Sequence, residues 1–265
     1  MKVTPEIVKE ENIKVYKAEA ETYDLLHPEV WNWYEQKRYN RLVNKTLRIL
    51  PKKSEVPVIV DVGTGTGNLT LKYLAAGCRV ICIDISKEIL QVLKRKLHPE
   101  EKERCTIICA DVESVMSDVS ALDGVCFSSV LHHLYNYQEV IERFVGKMRP
   151  GGFFFNIHDP LIQTPKSQAI YRLHRMVGKI DESLFRWNTK RLGYRLEDFP
   201  DDKIAEYHQR EGTMNHIDLK LFLEKLGLLI VHYETYTSRR YGLFGWLATE
   251  IIGSENAFTY IAKKP

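Results

Sequence analysis

The chain has 265 residues, 44% hydrophobic and 28% charged, an ordinary globular composition with ample length for a full core. Its net charge of +3 and pI of about 8.4 fall short of the clustered basicity, with pI above ~9, of a nucleic-acid footprint. Five cysteines lack Cys-x-x-Cys spacing, no apolar run nears the ~18 residues that span a bilayer, and the N-terminus is too polar for a signal peptide; a reducing, cytoplasmic setting with no metal site is expected.

Residues 1–50 carry apolar positions at helical spacing (Val8, Ile13, Val15, Tyr16), break near His27-Pro28, and resume in an aromatic-rich helix through Tyr39, Leu42 and Val43. Val56 to Val60 is uncharged and β-branched, the pattern of a buried parallel strand. Asp61 ends it, glycines follow at every second position (Gly63, Gly65, Gly67), and a helical pattern begins with Leu69, Leu71 and Leu74. Strand, glycine loop and helix in that order let the backbone approach a ligand closely, with helix-start N–H groups aimed at it. A P-loop would need Gly-Lys-Ser/Thr where Gly67-Asn68-Leu69 stands. A dinucleotide fingerprint would need its third glycine at position 68, and Asp61 would repel a pyrophosphate, which sets back a dehydrogenase. Asp61 suits a ligand bearing an ammonium or hydroxyls.

Cys78 to Ile85 reads as a second strand with Asp84 at its tip, about 20 residues past the first glycine, where a ribose diol is gripped. Thr106 to Ala110 is a third, ending at Asp111 and Val112, and Gly124 to Ser129 a fourth, leading into Val130-Leu131-His132-His133-Leu134. Met148 to Gly152 reads as a turn before a fifth strand, Phe153 to Ile157, followed by His158. Helical patterns over 69–76, 88–97 and 137–148 alternate with these strands, the doubly wound α/β arrangement. Asp61, Asp84, Asp111, Ser129 and His158 all fall at strand carboxyl ends, where such sheets bind ligands.

Residues 160–215 interrupt the alternation with a helical stretch rich in Arg and aromatics (Tyr171, Arg172, Arg175, Trp187, Arg191) and a second helical pattern ending near Arg210. An insertion here would hang over the pocket mouth as a substrate lid. Asp218 is expected to cap a last helix, Leu219 to Leu226, closed by Gly227, with strands at Leu228–Tyr233 and Phe258–Ala262. Between those strands, 239–252 sets Arg239-Arg240 beside an aromatic-apolar run, open to lipid or membrane-surface contact or to packing under its neighbours.

Asp61-x-Gly63-x-Gly65-x-Gly67, with Asp84, Asp111 and the later landmarks in family order and spacing, resembles the class I S-adenosylmethionine (SAM) methyltransferases from Asp61 to about His158. The resemblance implies a Rossmann-like, doubly wound seven-stranded sheet with its last strand antiparallel, N-terminal helices and a helical lid insertion. It divides the chain into a helical lid (1–50), a SAM-binding core (51–159), a substrate-lid insertion (160–215) and the rest of the sheet (216–265). SAM, leaving as S-adenosylhomocysteine, would meet Asp61, Gly63, Thr64, Gly65 and Gly67 of the loop, Asp84 at the ribose, Asp111 at the adenine amino group, and also Ile85, Val112 and Ser129. Tyr23, in Tyr23-Asp24, matches a position that in many relatives folds over the cofactor.

Some O-methyltransferases of this shape use a histidine after strand four with a partner at the end of strand five. That resemblance points to His132 and His158 as the catalytic pair, with Asp159 competing for the partner's place, and leaves His133 structural. Ser128-Ser129-Val130-Leu131 departs from the Asn/Asp-Pro-Pro-Tyr/Phe of DNA and protein N-methyltransferases. A small organic acceptor methylated at oxygen is therefore expected, such as a sugar, a secondary metabolite, or a lipid or quinone precursor, on a monomer or homodimer. An RNA (tRNA) methyltransferase and a SAM-binding protein without turnover are the alternatives.

Overall fold

The computed structural model describes residues 4–51, 55–112, 121–161, 167–200 and 214–265. Seven strands form one sheet: β1 (Val58–Val62), β2 (Arg79–Asp84), β3 (Cys105–Cys109), β4 (Leu122–Ser128), β5 (Met148–Pro160), β6 (Leu229–Tyr236) and β7 (Ala257–Lys263). Their spatial order is β3-β2-β1-β4-β5-β7-β6. The first five pair in parallel, and β7 runs antiparallel to both β5 and β6. This is the Rossmann-like sheet expected from the sequence, antiparallel last strand included.

Both faces of the sheet are covered, which is why its central strands carry near-continuous apolar runs rather than strict alternation. Along β1, Ile59 packs in one core, while Val60 and Val62 pack in the other. The first core is closed by Tyr39, Leu42 and Val43 of α2 (Trp33–Ile49), with Tyr73 and Leu74 of α3 (Asn68–Ala75) and Leu90 and Leu93 of α4 (Lys87–Lys96). The second is closed by Val140, Ile141 and Phe144 of α5 (Tyr137–Lys147) and by Leu219 and Leu223 of a helix at His216–Lys225. In front of α2 lies α1 (Pro5–Glu19), with Pro5 in its first turn and Thr4 as its cap. A 24-residue helix, α6 (Gln168–Arg191), follows β5, and no described helix is long and apolar enough to cross a membrane.

Several boundaries differ from the sequence reading for local reasons. The Met148–Gly152 stretch is not a free turn. It is the irregular start of β5, where the register jumps from Leu122↔Met148 to Gly124↔Phe153 and bulges out the residues between. The last long helix, α7 (His216–Lys225), is capped by Asn215, whose Oδ1 accepts from Ile217 N at 2.9 Å, so Asp218 sits inside its first turn. The helical pattern expected to end near Arg210 lies outside the described residues.

Candidate active site

The carboxyl ends of β1 to β4 open on a cavity of about 220 Å³. Gly63 N–H and Thr64 N–H both donate to Ile83 O (2.8 and 3.1 Å), which ties the glycine loop to β2. Gly63 and Gly65 line the cavity with positive φ (+62° and +55°), the left-handed region that favours glycine. Asp84 lines it too. Its Oδ2 accepts from Gly65 N and its Oδ1 from Ser86 N, both at 2.9 Å. Burial raises the Asp84 pKa, while those N–H donors oppose the shift. Ile85, Asp111, Val112 and Ser129 complete the floor and walls, and Tyr23 reaches in from the N-terminal segment, where burial raises its phenol pKa.

Asp61, Thr64 and Gly67 were expected at the ligand but do not line this cavity. Asp61 lies behind the loop, 1% exposed, and its Oδ2 accepts from Thr64 Oγ1 (2.9 Å), Thr70 N (3.1 Å) and Thr70 Oγ1 (2.7 Å). It thus clamps the glycine loop to the start of α3. Its Oδ1 is buried with no hydrogen-bond partner, and burial lifts its pKa to about 6, against the threonine hydrogen bonds that hold it down. Gly67 supplies the left-handed turn (φ +97°) into α3.

The histidines are arranged differently from the sequence reading. His133 lines the cavity, and its Nε2 lies 2.9 Å from Tyr16 Oη of α1. His132 is buried behind it, with ring centroids 4.2 Å apart, and its Nδ1 meets Asp159 Oδ1 at 3.0 Å. Asn156 Nδ2 donates to the other oxygen of Asp159 at 2.8 Å, so Asp159, not His158, partners His132. His158 lies apart from the cavity, stacked on Tyr39 at 5.3 Å, with Nε2 3.0 Å from Glu35 Oε2. Both Ser129 and His158 hold left-handed backbones (φ +54° and +65°), uncommon for non-glycine residues.

The roof is α1. Val8, Lys9, Asn12 and Tyr16 line the cavity, and Lys9 Nζ reaches Asp111 Oδ2 at 2.9 Å. No described residue of 160–215 lines it, so the covering seen here comes from the N-terminal helix rather than the insertion.

Residues 60–156 match a family model described as a methyltransferase domain. Over those residues the chain carries a SAM-dependent methyltransferase domain. A ubiquinone biosynthesis O-methyltransferase of Coxiella burnetii is 28% identical over 98 residues, 37% of this chain and 41% of the relative. The [4+2]-cyclase SpnF superposes with a TM-score of 0.61 at 15% identity, covering 97% of each chain. The 1,6-didemethyltoxoflavin-N1-methyltransferase of Burkholderia thailandensis, crystallised with 1,6-didemethyltoxoflavin and S-adenosylhomocysteine, gives 0.58 at 15% identity, covering 100% of this chain and 92% of that one. The chain spans less than half the length of the curated relatives it matches. At such identities the solved structures speak for the fold alone.

Around the methyltransferase core, Lys9, Asn12, Tyr16, Val130 and His133 line the cavity without having been singled out as ligand residues. Of these, Val130 and His133 carried a local signal, their place just after β4. Lys9 and Tyr16 act across 102 and 117 residues of sequence, a range that no local pattern encodes.

Proposed function

We propose that the protein is a SAM-dependent methyltransferase acting on a small hydroxylated acceptor. The observation that carries this reading is the convergence of Asp84, Asp111 and the Gly63–Gly65 loop on one cavity at the strand carboxyl ends. SAM, when bound, supplies a methyl group already activated on a sulfonium. Each Asp84 oxygen accepts one backbone N–H and keeps acceptor capacity for a ribose hydroxyl. Asp111 and Val112 offer a carboxylate and an apolar wall to the adenine, while Asp61 acts from behind the loop by holding the glycines in place through Thr64 and Thr70. The Tyr23 ring and α1 exclude water from the site.

The remaining task is to hold the acceptor and take its proton. Among the described residues His133 is the histidine that faces the cavity, beside Tyr16, and imidazole as a residue type suits general-base work near neutral pH. His132, fixed by Asp159, packs against His133 and orients it. Methylation at oxygen fits a histidine base and the O-methyltransferase relative, and the apolar Val130 and Leu134 walls suit an aromatic or isoprenoid acceptor.

Calorimetric titration with SAM, S-adenosylhomocysteine and NAD tests the cofactor assignment. Micromolar binding of the two adenosyl ligands and none of NAD is expected. Asp84→Ala should weaken both by about 10–100-fold, the worth of hydrogen bonds to a charged group. Unchanged affinity in that variant, or binding of NAD instead, would overturn the reading.

A further inference from the structure

The helix α6 turns two distinct rows of side chains to solvent. Its inner face is pinned to the segment after β6. His174 Nδ1 lies 3.0 Å from Ser254 Oγ, the Asp181 carboxylate accepts from the backbone N–H groups of Arg240 (3.2 Å) and Tyr241 (3.0 Å), and the Arg240 guanidinium lies 4.4 Å from the Phe185 ring centre. These contacts fix the rotation of the helix about its own axis, so its outer faces are set by the fold.

One outer row is apolar. Leu173, Met176, Ile180, Leu184 and Trp187 recur at spacings of three and four, each between 42 and 61% exposed. At about 100° per residue they fall within roughly a quarter turn of one another, and at about 1.5 Å per residue the row runs for roughly 20 Å. The second row, about 100° further round and away from the core, is basic: Arg172, Arg175, Lys179, Arg186 and Lys190. Among the described residues only Arg186 of these five has a carboxylate partner, Glu182 at 2.6 Å.

A fixed helix with one apolar row and one cationic row carries the pattern of helices that lie in the plane of a membrane. The apolar side chains enter the acyl boundary, and the cations reach the phosphate level on their flexible stems. We infer that α6 docks the protein on an anionic phospholipid surface. Charge decides against the other apolar partner at hand, a second copy of this chain. Two-fold pairing through the stripe would bring two rows of cations together, four of the five in each without a carboxylate partner among the described residues, whereas an anionic bilayer neutralises them.

Vesicle flotation of the full chain tests this, with vesicles of phosphatidylcholine alone and of phosphatidylcholine mixed with phosphatidylglycerol. The protein should float with the anionic vesicles only, and added salt should release it. Arg175→Gln with Lys179→Gln should lower partitioning about 25-fold, about fivefold for each cation, and Met176→Glu should abolish flotation. All three side chains are exposed, so thermal unfolding and SAM titration should stay at wild type, which separates this inference from the cofactor reading. Absence of flotation, or flotation indifferent to these substitutions, refutes it. A dimer in lipid-free buffer that Met176→Glu dissolves would instead assign the stripe to a second copy. Retention of a single-stranded RNA probe without flotation would assign the basic row to nucleic acid.

Discussion

Gly63 offers the sharpest test of how the loop shapes the cavity. A Cβ built there would lie 2.2 Å from Cγ2 and 2.9 Å from Cβ of Val130, and its φ is +62°. Gly65 shares the left-handed backbone (φ +55°), yet a Cβ there would meet nothing within 4 Å. Alanine in that backbone costs about 1–2 kcal/mol at either position. Only at Gly63 does overpacking against Val130 add about 1–3 kcal/mol more. Gly63→Ala should therefore unfold several degrees below Gly65→Ala, taking about 2–4 °C per kcal/mol for a chain near this size. Val130 lines the cavity, so the methyl group also pushes it into the ligand space, and SAM affinity should drop in Gly63→Ala. Truncating the obstacle tests the cause: in Gly63→Ala/Val130→Ala the penalties should fall short of their sum by about 1–3 kcal/mol, with SAM binding partly restored. Denaturant unfolding and calorimetry on the wild type and these four variants supply the numbers. Equal costs at the two glycines, or strict additivity with Val130→Ala, would refute the reasoning.

Three further outcomes follow from the same geometry. His133→Gln should lower turnover of an acceptor about 10²–10⁴-fold with SAM affinity unchanged, whereas His158→Gln should show itself in thermal stability; steady-state kinetics beside calorimetry separates the two. Burial opposes protonation of His27, but hydrogen bonds and charge from Glu19 and Glu29 outweigh it and hold its pKa at about 10. Its folded value exceeds its unfolded one of ~6.5, so the contribution is full below that pH and is lost as pH rises toward 10. Wild type should then lose stability across this window relative to His27→Gln, and parallel curves in urea melts would count against the ion cluster. Asp61, lifted by burial to about 6, likewise binds its proton more tightly when folded. Its contribution is present below ~4 and is lost as pH rises through about 6. The stability difference between wild type and Asp61→Asn should shift over that interval and nowhere else.

The sheet was readable because a parallel sheet covered on both faces gives its strands near-continuous apolar, often β-branched runs with few charges. Ile59, Val60 and Val125 are all completely buried, and each lay in a run marked from composition alone. Reading failed where two local solutions compete. Asn215 and Asp218 are both good caps three residues apart, and only the Asn215 contact to Ile217 N shows which is used. The glycine-rich 148–152 stretch has turn composition, but pairing of β5 with β4 on either side absorbs it as a bulge. The positions of Tyr23, Asp84, Asp111 and Ser129 around one cavity were foreseeable from strand ends and family spacing. A helical lid over 1–50 was implied by the family resemblance, but the Lys9–Asp111 contact was not, because it arises from tertiary packing of α1, and amphipathic spacing tells only that a helix packs, not on what.

The histidines show how backbone strain can mislead a sequence reading. If 131–134 began an α-helix, side-chain alternation would send His132 toward the ligand and His133 away. Ser129 instead takes a left-handed backbone as the chain leaves β4, and residues 131–133 form a single 3₁₀ turn. That reverses the assignment. At the end of β5, His158 is left-handed as well, so it and Asp159 depart from the in-and-out order of a regular strand. Its ring goes to Glu35 and Tyr39, and the Asp159 carboxylate goes to His132. Conformations of this kind cost of order 1–3 kcal/mol each and persist only where the surroundings over-determine them. Here the Ser129 N–H donates to Ile157 O at 2.8 Å, and the His158 N–H donates to Tyr236 Oη at 3.0 Å. Neither serine nor histidine advertises a positive φ, so the sequence could place two histidines near the cofactor but could not say which one faces it. Two strained residues, held by hydrogen bonds from β5 and β6, make that choice, and they put the buried Asn156–Asp159–His132 chain directly behind the His133 imidazole that lines the cavity.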